Sequence, residues 1–228
     1  MRRLADGLVV YTEAEAREAR KELPGATVVA APNALYRRSE LESAPATGPA
    51  TDFVFVGRLN SEKRPELLLE AFVLAVPDLP ADVRLVFVGD GRLRPRLEAR
   101  AVGSDASDRV HFRGHVSSFD ELGRIYDRAI ASVSPGTAGL SLVQSLGFGV
   151  PTVIAREAQH GPEIDIALEG GNARFFTAGS RHELAATLTS VAAERERWRE
   201  QRHVISAAIR DAYTVEDMVE AFLSALQV

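Results

Sequence analysis

The chain contains no cysteine. Disulfides, thiolate nucleophiles and thiolate metal centres are therefore excluded, and a reducing compartment fits. Positive charge is not in excess. The 27 Lys and Arg stand against 32 Asp and Glu, a formal net charge of −5, so the charge gives no support to a nucleic-acid partner. The arginines are interleaved with carboxylates, which reads as a solvated surface. Long apolar runs are missing too: none approaches the length that spans a bilayer. The basic start Met1-Arg2-Arg3 is followed by no apolar segment long enough for a signal peptide. The chain reads as soluble and cytoplasmic. It has no G-x-S-x-G nucleophile elbow, no Walker loop and no zinc-type Cys/His cluster. Lysine occurs only at Lys21 and Lys63. In a chain that otherwise uses arginine, a compact ammonium at position 63 reads as chosen rather than as background.

What is present is a core-forming α/β pattern. The chain has 228 residues, 46% of them hydrophobic, enough for one or two domains with a sizeable core. Apolar runs at 52–56, 83–88, 109–112, 130–133, 151–154 and 173–176 read as strands. Amphipathic runs at 65–76, 92–102, 118–128, 139–147, 180–194, 195–211 and 214–226 read as helices. This alternation predicts an α/β fold: a doubly wound, Rossmann-like parallel sheet over residues 51–228, with helices on both faces. Residues 39–50 are rich in Ser, Ala, Pro, Thr and Gly and read as a linker. Residues 1–38 offer two short strands and one helix, too little to close a core of their own. They read as the remnant of a preceding α/β domain. The last helix carries Val215, Met218, Val219, Phe222, Leu223 and Leu226 on roughly one face. Ordinary core packing is expected for at least half of these, and an exposed patch is the alternative. Trp198, between charged neighbours, reads as helix packing.

The chemistry-bearing residues lie in loops at the carboxyl ends of predicted strands, where open α/β sheets bind ligands. After the strand Phe53 to Val56, Gly57 allows a sharp turn, and Arg58 and Lys63 stand just before Pro65 opens a helix. Two cations beside a helix N-terminus suit a diphosphate. In Val88-Gly89-Asp90-Gly91 the glycines permit close approach of a ligand, while Asp90 either caps the next helix or touches the ligand. Arg94 stands where a dinucleotide fingerprint needs its third glycine, which argues against a nicotinamide or flavin site. His111 and His115 are four apart, but Gly114 and the strand-like pattern keep them off a shared helical face, so a metal pair is not expected. Gly114, His115 and Val116 offer backbone groups to a planar base. The glycine-rich turn Ser134 to Leu140 exposes N–H groups toward an anion. Gln159 to Glu163 forms a fifth, weaker region.

In this order, FVGRL with EKR and LLLEAF, LVFVGDG with RLRPRLE, VHFRGHV, SPGTAGLSLVQSLGFGVPTVI, GPEI and GGNARFF resemble the C-terminal domain of retaining GT-B glycosyltransferases of the family 4 type. The likeness covers about residues 50–226, and Asp6 to Thr12 and Ala31-Pro32-Asn33-Ala34 look like that family's interdomain approach. The resemblance implies a hexosyltransferase-type enzyme of polysaccharide biosynthesis. It would bind a nucleoside-diphosphate sugar, need no metal or other cofactor, and transfer the sugar with retention to a sugar, glycan or lipid-linked acceptor. Arg58 and Lys63 would take the catalytic role of stabilising the diphosphate leaving group. The implied donor-binding set is Gly57, Asp90, Gly91, Gly114, His115, Val116, Gly136, Gly139, Leu140, Gln144 and Glu163. The family carries two glutamates separated by seven residues around its glycine-rich turn. Here Gly136 and Gln144 occupy those positions, so Glu163 is expected to compensate for the missing sugar-holding carboxylate. The resemblance further implies an N-terminal acceptor domain, as a separate partner chain or as sequence beyond this chain, and a location peripheral to the membrane. A non-catalytic module binding nucleotide or glycan is the alternative that the two substitutions favour. A GT-B epimerase finds no matching set of catalytic residues.

Overall fold

The computed structural model describes residues 7–41 and 47–226. The large sheet is built around β3 (Asp52–Val56) and β4 (Arg84–Val88). They pair in parallel, Phe53 level with Leu85 and Phe55 with Phe87. Side chains alternate along a strand, so Phe53, Phe55, Leu85 and Phe87 enter one core layer while Val54, Val86 and Val88 enter the other. Both layers are apolar, which is why these strands read as continuous hydrophobic runs. β5 (Val110–Gly114), β6 (Ala129–Ser134), β7 (Thr152–Ala155) and β8 (Ala173–Phe176) complete six parallel strands in the order β5-β4-β3-β6-β7-β8. The doubly wound parallel sheet expected from the sequence is present.

The order reverses between β3 and β6. From β3 the chain winds outward to β5, then returns to β6 and winds the other way. Right-handed crossovers put α2 (Pro65–Ala75) and α3 (Arg94–Val102) on one face, joined there by α6 (Arg181–Ala193) and α7 (Arg195–Glu200). The other face carries α4 (Phe119–Asp127), α5 (Leu140–Gly147) and α8 (Arg202–Arg210). The crevice at the reversal, outside the carboxyl ends of β3 and β6, is where such sheets take ligands.

Three expectations need correction. The helix expected over 195–211 is two helices, broken at Gln201. Trp198 is buried in the α2-side layer while Ile205 and Ile209 pack in the opposite one, so the chain turns between them. The stretch 39–50 is not a plain linker at its ends. Leu41 is fully buried against the α5–α8 cluster, and Ala50 is buried in the main core; residues 42–46 lie outside the described ones. In α9 (Val215–Leu226), Val219, Phe222, Leu223 and Leu226 are all exposed. That helix lies on a small unit, the parallel pair β1 (Gly7–Val10) and β2 (Thr27–Ala30), which is too narrow to cover it. α1 (Glu13–Glu22) packs Ala16 and Ala19 on Val28 of that pair, and Thr12 with Glu15 forms its capping box.

Candidate functional site

The loops that follow β3, β4 and β5 are laid side by side by backbone hydrogen bonds. The Gly57 N–H donates to the Val88 carbonyl at 2.9 Å, Leu59 N–H to Asp90 at 2.9 Å and Gly89 N–H to Gly114 at 2.7 Å. Glycine makes this possible. Gly89 has φ +134°, and a Cβ on it would lie 1.9 Å from the Gly57 carbonyl oxygen; one on Gly91 would lie 2.6 Å from that of Leu59. The room left by the two missing side chains is therefore filled by the first loop's backbone rather than by open space for a ligand. Asp90 serves the turn. Its carboxylate accepts from the Gly91 N–H at 2.7 Å and pairs with Arg94 at 2.9 Å. Those two hydrogen bonds hold its pKa below the usual carboxylate value. Arg94, the residue that breaks the dinucleotide fingerprint, also pairs with Glu98 at 2.8 Å and lies against Gly114.

The loop after β3 is tied equally to the loop after β6. The Thr137 N–H donates to the Glu62 carbonyl at 3.1 Å, and Lys63 Nζ donates to the Thr137 carbonyl at 2.8 Å. A Cβ on Gly136 would lie 2.1 Å from the Glu62 oxygen. The position where the resembling family carries its first glutamate is thus closed to any side chain with this backbone. Lys63 is half-buried, whereas Arg58 is exposed and has no ion pair among the described residues. Burial, then the like charge of Arg58, lowers the Lys63 pKa; Glu62 and Glu163 partly offset this. A desolvated ammonium beside a second cation gains from an anion more than a solvated one does. Arg64, next in sequence, has φ +48°, the one non-glycine residue in the left-handed region among the described residues. Such strain persists only where surrounding contacts fix the backbone.

The glycine-rich turn is pinned from behind. The Ala138 N–H donates to His160 Nδ1 at 3.1 Å, which leaves the proton on Nε2, 2.7 Å from the Ala155 carbonyl. The Gly161 N–H donates back to Ala138. Two N–H groups of the turn, those of Thr137 and Ala138, are thereby consumed. The N–H groups of Gly139, Leu140 and Ser141, at the start of α5, have no backbone partner among the described residues, as at any helix N-terminus. Glu163 closes this corner. It is 5% exposed, accepts a hydrogen bond from Asn33 Nδ2, and lies 3.6 Å from where a Gly139 Cβ would be. Gly161 makes the room, since a Cβ there would lie 2.2 Å from the carboxylate.

Gln144 is already committed. Its Oε1 accepts from Tyr126 Oη at 3.2 Å and its Nε2 donates to Tyr36 Oη at 2.6 Å. Tyr36, Phe119, Phe148 and Tyr126 form one aromatic group around it. Burial pushes both phenol pKa values up. Beyond β5, His115 is exposed and Val116 half-buried. The expected residues thus fall into four places: Arg58, Lys63, Gly136, Gly139, Leu140 and Glu163 around the crevice, Gly57, Asp90 and Gly91 in the interlocked turns beside it, Gly114, His115 and Val116 at the end of β5, and Gln144 in the aromatic group. His160 and Asn33, which the sequence reading left out of the site, hold it together; the Gln159–Glu163 and Ala31–Ala34 motifs were the available signals. Among the described residues no group of three or more His, Cys, Asp or Glu could hold a metal ion.

Residues 38–211 match the model of the family described as glycosyl transferases group 1. The chain belongs to that family. A GDP-mannose-dependent alpha-(1-6)-phosphatidylinositol dimannoside mannosyltransferase of Mycobacterium tuberculosis is 35% identical over 106 residues, 45% of this chain and 26% of the relative. A putative glycosyltransferase of Bacillus subtilis, EpsD, is 25% identical over 176 residues, 75% of this chain and 45% of the relative. The chain thus spans less than half the length of the curated relatives it matches. The fold matches the crystal structure of TarM with a TM-score of 0.76 at 17% identity, over 99% of this chain and 44% of TarM. It also matches the C-terminal domain of a glycosyl transferase group 1 family protein from Francisella tularensis, TM-score 0.66 at 15% identity. That match covers 79% of this chain and all of the domain. At these identities the likeness is one of fold. The group 1 glycosyl transferase sheet is therefore the part of the chain that carries the crevice.

Proposed function

We propose that this chain supplies the donor half of a glycosyltransferase and binds a nucleoside-diphosphate sugar at the reversal of its sheet. The observation that carries the reading is the Lys63 environment. A partly desolvated ammonium is held by the Thr137 carbonyl beside exposed Arg58, where the loops after β3 and β6 meet at the reversal of the strand order. Arg58 and Lys63 bind the diphosphate and neutralise the charge that develops on it as the glycosidic bond breaks, without calling on a metal. The N–H groups of Gly139, Leu140 and Ser141 face the same anion. Gly114, His115 and Val116 take the base, and Glu163 takes a sugar hydroxyl in place of the side chain that Gly136 cannot carry. The sugar passes to a sugar, glycan or lipid-linked acceptor with retention, a step that also draws on an acceptor-binding domain, carried by a partner chain or by further sequence. The mannosyltransferase among the relatives is named for GDP-mannose, and a pneumococcal O-GlcNAc transferase of the same fold was crystallised with UDP and GlcNAc. Both support the donor class and leave the base open.

Titration of UDP, GDP and ADP against the chain and its Arg58→Ala/Lys63→Ala variant tests this. Saturable binding of one nucleotide, lost in the variant, is expected. Equal binding by both proteins would refute the assignment of the diphosphate.

A second reading rests on Gly136 and Gln144. With one position sterically closed and the other's amide spent on two tyrosines, the site binds nucleotide without turning it over. Release of nucleotide from donor sugar by the full-length protein separates the two readings: steady release supports the enzyme, and binding without release supports the module.

A further inference from the structure

The large sheet is left bare along one edge. α4 packs on Val54, Val86 and Val88, over β3 and β4, and no β5 residue joins that apolar cluster. Within β5, Phe112 stacks on Phe87 on the α2 side, so His111 and Arg113 face the bare side. The strip and the flank of α4 enclose a groove of about 890 Å³. Arg84, at the start of β4, Arg113, near the end of β5, and Arg124, on α4, line it. All three are exposed, and none forms an ion pair with a described residue. A fourth arginine, Arg128, is 3.5 Å from Asp52, whose carboxylate also accepts from Thr51 Oγ1. That leaves Glu121 as the remaining lining carboxylate. The groove is positive in a chain whose net charge is −5.

The spacing narrows the ligand. Leu85 pairs with Val110, and a register shift sets Gly114 level with Val88, so Arg113 stands between three and four residues along the sheet from Arg84, about 10–13 Å at the strand rise. An extended polypeptide puts side chains i and i+4 on one face at that same spacing. The floor, Val86 and Ile125, is apolar, which suits a side chain rather than a free anion.

We propose that this groove docks an extended acidic segment of a partner protein, with carboxylates four residues apart on Arg84 and Arg113 and a third contact at Arg124. Fluorescence anisotropy with a labelled twelve-residue peptide alternating glutamate and serine tests it, against the chain and its Arg84→Glu/Arg113→Glu variant at low salt. Saturable binding is expected, weakened about tenfold or more in the variant and lost as salt rises. The variant's thermal midpoint should stay unchanged, because both side chains are exposed. Equal binding by the two proteins, or none by the wild type, would overturn the proposal. So would displacement of the peptide by inorganic diphosphate as readily as by unlabelled peptide, which would make the groove a small-anion site.

Discussion

Replacing Gly136 by alanine asks whether the glycine-rich turn is as closely built as its geometry implies. A Cβ at 136 would sit 2.1 Å from the Glu62 carbonyl oxygen, 2.8 Å from the Lys63 carbonyl carbon and 3.0 Å from the Lys63 Cα. These are backbone atoms, so no side-chain rotation relieves the clash. The loops must part by more than 1 Å, roughly the shortfall from van der Waals contact. Parting them strains two hydrogen bonds, Thr137 N–H to Glu62 at 3.1 Å and Lys63 Nζ to Thr137 at 2.8 Å. The first contributes about 1 kcal/mol and the second, from a charged donor, about 1.5–3 kcal/mol. The expected loss is about 2–4 kcal/mol, in line with other overpacked sites. For a chain of this length that lowers the thermal midpoint by roughly 5–15 °C. Nucleotide binding should weaken with it, since Lys63 loses its anchor. The assay is thermal denaturation followed by nucleotide titration well below the midpoint. A variant melting within about 1 °C of wild type and binding as well would refute the reasoning. It would also reopen the position to the glutamate that the resemblance leads one to expect.

Three further outcomes follow from the same geometry. Gly89→Ala combines φ +134° with a Cβ 1.9 Å from the Gly57 oxygen. It should lower the thermal midpoint and nucleotide affinity together, and loss of neither would remove the interlocked-loop account. Lys63 has a lowered pKa from burial and from Arg58, and only its protonated form attracts an anion. Nucleotide affinity should therefore fall as pH rises through a value below the ordinary lysine range, and Lys63→Arg should flatten that fall because arginine stays charged. Identical alkaline profiles in a calorimetric titration would contradict this. Leu41→Ala empties a fully buried site against Gly147 and should cost about 2–4 kcal/mol in urea denaturation; a negligible loss would restore the linker reading of that stretch.

Much of the fold was legible because the central strands are apolar on both faces. Phe53 to Val56 and Leu85 to Val88 have no polar residue to blur the period, and Gly57, Gly89 and Pro65 punctuate them. The break at Gln201 was hidden, because nothing local stops a helix there; the turn is set by which core Trp198 and Ile205 each enter. Leu41 was hidden in a segment whose composition resembles a linker, since a single buried leucine leaves no periodicity. In the crevice, the sequence showed where glycines stand but not what fills the space they leave. Gly89, Gly91 and Gly136 look like openings for a ligand, yet the neighbouring loops' backbones occupy them. Gln144 stands in the implied donor-binding set, but Tyr36, 108 residues away in the chain, takes up its amide, and no local pattern announces that contact.

The account turns on where a nucleoside diphosphate sits. The most direct test is amide chemical-shift mapping of the isotope-labelled chain at saturation with whichever nucleotide binds. The account predicts the largest shifts at Gly57, Arg58 and Lys63, at Gly114 to Val116, and at Gly139 to Ser141. Shifts confined instead to the groove lined by Arg84 and Arg113, or to the cavity of about 570 Å³ lined by Tyr11, Arg17 and Tyr213, would contradict it.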